Sequence, residues 1–173
     1  VGLYKDIKIG ILLYLSVLTA NLLLGFSLSF KNRKSFIPDK TKINITFSSK
    51  NFTESIISST ETILKLCGFI VFFSVFCDMT GIYLSKFLPD ILSVITLGVF
   101  EFVNGINYSY ELLPNIQSIV LCGAIAGWGG VSVHMQSIAI FGNNKLSFKN
   151  YFISKLSIGI ISAIFTYLGM LFI

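Results

Sequence analysis

The sequence predicts an all-α integral membrane protein, a helical bundle with a re-entrant half-helix and a transmembrane helix broken by glycines. Composition is the first reason: of the 173 residues, 54% are hydrophobic and only 12% are charged, whereas a soluble domain carries roughly 25% charged residues. The mean hydropathy of +0.81 agrees. The second reason is a series of apolar runs long enough to cross a bilayer. Together they exclude a soluble domain, a disordered chain and a secreted disulfide scaffold.

The net charge is concentrated in one loop. Between Lys31 and Lys50 there are six basic residues against the single Asp39, and the rest of the chain holds equal numbers of acids and bases. A basic excess in a short loop between apolar segments is typical of the cytoplasmic side of a membrane. It does not indicate a nucleic-acid surface, and we expect no nucleic-acid partner.

The first two helices follow from apolar runs on either side of this loop. Ile9 to Phe30 is free of charge and long enough to span, and the amide of Asn21 is expected to bond a neighbouring helix. The second helix is expected to begin near Asn51, and Asp78 with Gly81 are expected to end it. Six Ser and Thr side chains fill its first half, which either lies in the membrane interface or lines an aqueous vestibule.

The next segment is too short for an ordinary span. Phe87 to Phe100 is apolar but contains Pro89 and Asp90, and it runs directly into Glu101. We expect a re-entrant half-helix here, since a crossing needs about 20 apolar residues. A full crossing by residues 87–104 is the alternative.

The remaining apolar runs give two further crossings. Leu112 to Phe141 is interrupted by Gly127-Trp128-Gly129-Gly130, where each glycine costs roughly 1 kcal/mol in a helix interior. Two half-helices meeting at an unwound hinge are therefore expected. Leu156 to Ile173 is uncharged and spans once more.

The lysines after the broken helix favour the re-entrant topology. If the chain dips in and returns at residues 87–104, then Lys145, Lys149 and Lys155 lie on the cytoplasmic side with the basic loop. A full crossing would place them on the opposite side.

Polar residues at membrane depth are the candidate site, because a bilayer-embedded charge costs about 2.5–3.5 kcal/mol even on insertion scales. Glu101 and Asn104 share a helical face, with Gly105 as the expected C-cap. If Val131 begins a helix, its N-terminal N–H groups suit an anion. Asp78 is interpreted instead as a solvated acid at a helix end. The candidate substrate-binding residues are Glu101, Asn104, Gly127, Gly129, Gly130, Ser132, His134 and Gln136.

Helical spacing limits how the last three can act. Ser132 and Gln136 are four apart and share a face, whereas His134 points nearly opposite. The three converge only if the start of the helix is unwound.

Patterns typical of enzymes are missing from the sequence. It has no H-E-x-x-H, no G-x-S-x-G and no P-loop, and its single histidine cannot build a multi-histidine metal site. We therefore expect neither an enzyme nor a metal or other cofactor.

Two motifs carry a resemblance to a known family. Glu101-Phe102-Val103-Asn104-Gly105 and the string from Gly127 through Gln136, G-W-G-G-V-S-V-H-M-Q, resemble the sporulation integral membrane protein YlbJ family. That family falls in the nucleoside-recognition "gate" group, which is distantly similar to concentrative nucleoside transporters. The resemblance spans the whole chain but as the C-terminal half of such a protein.

The resemblance implies a function and a set of partners. It implies export of dipicolinate, a small organic anion, across the outer forespore membrane of an endospore-forming bacterium. It divides the chain into residues 1–50, a transmembrane helix plus basic cytoplasmic loop, and residues 51–173, a gate-type membrane domain of a longer chain. The expected partners are the anion, the lipid bilayer, the N-terminal half of the same protein and a possible second copy.

Two other functions stay open. The chain could be a membrane scaffold or sensor that moves nothing, although a scaffold has no need of a glycine-broken helix. It could also be a nucleoside transporter, as the name of the gate group suggests. An upstream half with a matching interrupted helix would favour transport.

Overall fold

A computed structural model describes residues 3–31, 49–141 and 147–173, and these residues form helices without strands. Most of the basic loop, together with Lys145, lies outside the described residues. The helices are α1 (Ile7–Lys31), α2 (Ser49–Phe87), α3 (Asp90–Phe100), α4 (Phe102–Leu112), α5 (Asn115–Trp128), α6 (Gly130–Phe141) and α7 (Phe148–Met170).

Four segments of the described chain are long and apolar enough to cross a membrane: Ile7–Phe30, Phe52–Phe87, Asn115–Ile140 and Phe148–Met170. The protein is thus an all-α integral membrane protein, as its composition predicts. Lys149 and Lys155 both lie inside α7.

The first helix satisfies its own polar side chains. The prediction that the Asn21 amide bonds a neighbouring helix is wrong: its Nδ2 donates to the Val17 carbonyl at 2.7 Å, within α1. Thr19 and Ser27 likewise donate to carbonyls four residues earlier. The helix therefore presents few unsatisfied polar groups to lipid.

The second helix is much longer than predicted. α2 runs without interruption through Asp78 and Gly81 to Phe87, over 39 residues, so the prediction that it ends near Asp78 is wrong. The stretch between Lys65 and Lys86 carries one charge and spans about 30 Å, the thickness of a hydrocarbon core. Asp78 then lies about 12 Å inside the level of Lys86. The hydroxyl-rich start of α2 extends beyond the core.

The short segment after α2 is a hairpin of two helices. α3 and α4 have 11 residues each and are joined by the single extended residue Glu101. They touch where a side chain on Gly105 would overlap the backbone of Gly98. Each is about 16 Å long, so the chain turns back halfway. A hairpin of this length fits the re-entrant topology better than the full crossing, and Gly105 is a packing residue inside α4 and not a C-cap.

The broken transmembrane helix is present as predicted. α5 ends at Trp128 and α6 begins at Gly130. Gly129 caps α5 in the left-handed conformation with φ of 87°, and Gly130 follows with φ of 76°. Residues that have a side chain rarely adopt this backbone conformation, which explains the two consecutive glycines.

Small residues bring α5 and α7 together. Gly123 faces Thr166, and a side chain on Gly127 would meet the Ile158 carbonyl at 3.0 Å. Gly123 and Gly127 have the G-x-x-x-G spacing of close membrane helix contacts. Sequence reading assigned Gly127 to the site and overlooked this motif. One turn beyond Thr166 on α7, Gly169 receives Leu12 of α1.

The chain segment before α1 contacts both α5 and the α4 helix of the hairpin. The Tyr4 hydroxyl bonds Ser118 and lies 3.2 Å from the Cys122 sulfur, while its ring packs edge-on against Tyr110. Ser109 of α4 donates to the Ser118 carbonyl at 3.1 Å. Burial raises the pKa of the Tyr4 phenol above its ordinary value, so the hydroxyl stays protonated.

Candidate functional site

The two helix breaks meet at one point. A side chain on Gly130 would lie 3.1 Å from the Phe102 nitrogen, 3.2 Å from the Phe100 carbonyl and 3.3 Å from the Glu101 Cα. The start of α6 thus rests against the tip of the α3–α4 hairpin. Since α3 is about 16 Å long, this contact lies near the middle of the membrane.

Glu101 forms the tip of the hairpin and caps α4. Its backbone is extended, with φ of −142°, and its Oε2 accepts a hydrogen bond of 2.7 Å from the Asn104 N–H. The residue is only 3% exposed. A carboxylate at a helix N-terminus is stabilised by the aligned peptide dipoles. Its spacing from Asn104 therefore reflects capping and not a shared face inside one helix.

Asn104 connects the hairpin to α2. Its Nδ2 lies 3.2 Å from the Ser74 carbonyl and 3.3 Å from Asp78 Oδ1. Asp78 therefore belongs to this region, and it is an exposed acid inside α2 and not at a helix end. Sequence reading missed it because an acid followed by a glycine was taken as the end of the helix.

The first turn of α6 supplies a polar pair. Gln136 Nε2 donates to Ser132 Oγ at 3.3 Å, as the spacing of four residues predicts. Ser132 is 1% exposed. The N–H groups of this turn have no acceptor within their own helix, and they begin at the contact with Glu101.

His134 faces away from this point. Its Nδ1 lies 3.1 Å from the Tyr151 hydroxyl, and its ring packs edge-on against Trp128 at 4.4 Å and beside Phe152. Its Nε2 has no hydrogen-bond partner within the described ranges. Because α6 is wound from Gly130 onward, His134 does not converge with Ser132 and Gln136.

The structure therefore brings together only part of the predicted set. Glu101, Asn104 and Gly130 meet at the junction of the two breaks, with Ser132 two residues further along α6. Gly127 packs on α7, and Gly129 serves the backbone turn. Trp128, although not predicted for the site, ties the breaks together, since its Nε1 donates to the Val99 carbonyl at 3.2 Å.

Carboxylates dominate the junction. Neither Glu101 nor Asp78 forms an ion pair with a described residue. The ion pair between Lys65 and Glu61 lies elsewhere, on the surface of α2. Within those residues, no group of three or more His, Cys, Asp and Glu side chains could hold a metal ion. The junction can offer N–H donors from helix termini and oxygen acceptors from side chains.

One curated protein is similar to this chain over nearly its whole length. It is the sporulation integral membrane protein YlbJ of Bacillus subtilis (strain 168), 27% identical over 207 aligned positions. The alignment covers 97% of this chain and 50% of the relative, so the chain spans about half the length of that protein. This similarity confirms the resemblance predicted from the two motifs. No family model and no solved structure matches the chain.

Proposed function

We propose that the chain is part of a membrane transporter that exports dipicolinate, a small organic anion, across the outer forespore membrane during endospore formation. The observation that carries the proposal is the meeting of two interrupted helices at mid-depth, at Gly130 and Glu101. Interrupted helices expose backbone donors and acceptors inside the membrane, and transporters bind solutes at such places. The proposal assigns no catalytic reaction to the chain.

The substrate carboxylate is proposed to compete with the Glu101 carboxylate. Glu101 already occupies the N-terminus of α4, a position that favours any carboxylate. A dianion beside an ionised Glu101 would be repelled. Uptake of a proton by Glu101 would weaken its hydrogen bond from the Asn104 N–H and remove that repulsion. Proton uptake and anion binding would thereby be coupled.

Nucleoside transport is the second candidate, because one observation favours it. Glu101 and Asp78 are acceptors without a described ion-pair partner, and Asn104 bonds between α4 and α2 beside them. Acceptors of this kind bind the hydroxyl groups of a sugar, which can donate hydrogen bonds, better than they bind the carboxylates of an anionic substrate. The similarity to a sporulation protein supports dipicolinate instead.

Uptake by vesicles that carry the full-length protein tests both. We expect radiolabelled dipicolinate, and not radiolabelled uridine, to accumulate in inside-out vesicles with wild-type protein. Gly130→Leu should abolish uptake, since its side chain would enter the Phe102 backbone. Gly68→Leu is the matched control, because nothing lies within 4 Å of that glycine.

The results separate the candidates. Uridine accumulation alone would replace dipicolinate with nucleosides. No uptake of either compound, with abundant protein in the membrane, would favour the scaffold or sensor role and contradict transport.

A further inference from the structure

Polar side chains line the contact between α2 and α4 on both helices. We define the α2–α4 seam by Ser74, Asp78 and Gly81 on α2 and by the α4 residues Asn104, Tyr108 and Glu111, of which Asn104 and Tyr108 contact α2. On each helix they follow one another at four and then three positions, which places them on one face.

Contacts between the two rows establish the register of the seam. The Asn104 amide bonds Ser74 and Asp78 at its lower end. One turn higher, the Tyr108 hydroxyl fills the space left by Gly81, where a side chain would lie 2.8 Å away. The rows therefore run in parallel from Glu101 toward the end of α4.

The seam is at membrane depth and yet open. Asp78 and Glu111 are exposed, and Ser74, Asn104 and Tyr108 are half-buried. Asp78 lies about 12 Å inside the level of Lys86. Carboxylates at such depth face protein or water and not lipid, since lipid cannot solvate them.

The neighbouring positions on α2 show what a lipid-facing surface looks like in this chain. Val75 is 52% and Met79 is 62% exposed, and each follows a seam residue directly in sequence. Both are apolar. The change from apolar to polar side chains around α2 therefore coincides with the seam.

We propose that the α2–α4 seam lines a water-filled route that leads from the membrane face opposite the basic loop down to Glu101. Its acids favour small cations and protons over anions. The proposal rests on the proposed transport function, and it names the route by which Glu101 would receive its proton.

Labelling of single cysteines in the full-length protein tests the route. Cys67, Cys77 and Cys122 are first replaced by alanine, and Ser74→Cys and Asp78→Cys are compared with Val75→Cys and Met79→Cys. The probe is a membrane-impermeant, positively charged methanethiosulfonate added from the side opposite the basic loop. Each pair shares its depth and differs in the face it presents.

We expect the seam cysteines to react at least about tenfold faster than their neighbours, because the reactive thiolate forms in water and not in lipid. Asn115→Cys, at the exposed start of α5, reports access to that membrane face. Equal, slow reaction at all four positions, with Asn115→Cys labelled, would overturn the route and show the seam covered by protein.

This result is independent of the uptake assay. Fast labelling without uptake of any substrate would leave the water route standing and contradict transport. Uptake without fast labelling would contradict the route alone.

Discussion

At the scale of single residues, Glu101 contacts the N-terminal ends of two helices. It caps α4 through Asn104, and it lies beside the first turn of α6. The described titratable side chains on the α2 face nearest to it are Cys77 and Asp78. Neither of them supplies a positive charge.

Glu101→Gln separates titration from capping. The glutamine oxygen can still accept from the Asn104 N–H, but the side chain cannot release a proton. We expect the variant to bind and exchange dipicolinate while losing accumulation driven by a pH gradient. The measurement is exchange and net uptake by vesicles at several gradients.

Glu61→Gln is the matched control, because Glu61 is an exposed acid on the surface of α2 and does not belong to the α2–α4 seam. It should keep gradient-driven uptake. If Glu101→Gln instead lowers protein abundance and leaves the pH dependence of the residual uptake unchanged, Glu101 is a structural acid and the coupling is wrong.

The two hinge glycines should respond differently to asparagine. Asparagine tolerates the left-handed conformation, and a side chain on Gly129 would meet Val133 no closer than 3.6 Å. Gly129→Asn should therefore keep most of the uptake. A side chain at Gly130→Asn would press on Phe102 and Phe100. We therefore expect the uptake rate to fall at least about tenfold, which corresponds to about 1.4 kcal/mol of activation free energy. Equal uptake by both variants would show that the contact between the breaks is unimportant.

At the scale of elements, the hairpin depends on a glycine pair. Gly105→Ala would place a methyl group into the backbone of Gly98, and overpacking of this kind costs about 1–3 kcal/mol. We expect a lower thermal unfolding midpoint in detergent. Gly25→Ala, in a helix with open space around that position, should be neutral or stabilising by about 0.5–1 kcal/mol. A midpoint unchanged by Gly105→Ala would show that α3 and α4 can separate at little cost.

The elements that composition determines were predictable. Apolar length identifies α1 and α7, and adjacent glycines identify the break between α5 and α6, because both effects act within a few turns of chain. The end of α2 was not predictable in this way. Asp78 stays helical because Asn104 bonds it from another element, and Gly81 stays helical with Tyr108 beside it.

The direction of His134 was also beyond local sequence. Periodicity shows that it points away from Ser132, but not that Tyr151 and Phe152 of α7 lie on that side. Local sequence does not predict the seam either. Only the register between α2 and α4 brings its two rows of side chains together.

At the scale of the whole molecule, the hairpin determines on which side of the membrane the chain enters α7. Between the basic loop and α7 the chain crosses twice, through α2 and through α5 with α6, because α3 and α4 turn back. The basic loop and the connection between α6 and α7 should therefore both face the cytoplasm.

Cysteines at Ser35 and Asn150 test this topology. Ser35 lies in the basic loop, outside the described residues, and Asn150 is exposed at the start of α7. An impermeant thiol reagent should label both only from the cytoplasmic side of the membrane. Labelling of the two from opposite sides would mean that residues 87–112 contain a further crossing.

The fastening of Tyr4 has a consequence for biosynthesis. Tyr4 bonds Ser118, which is 114 positions later in the chain, so the bond cannot form while the ribosome is still completing α1. Until α5 has entered the bilayer, α1 must remain there without its contacts to α5 and α7. It can do so because Asn21, Thr19 and Ser27 bond their own backbone. Insertion of α1 and its assembly with α5 are therefore separate events, and the bond between Tyr4 and Ser118 forms only in the second.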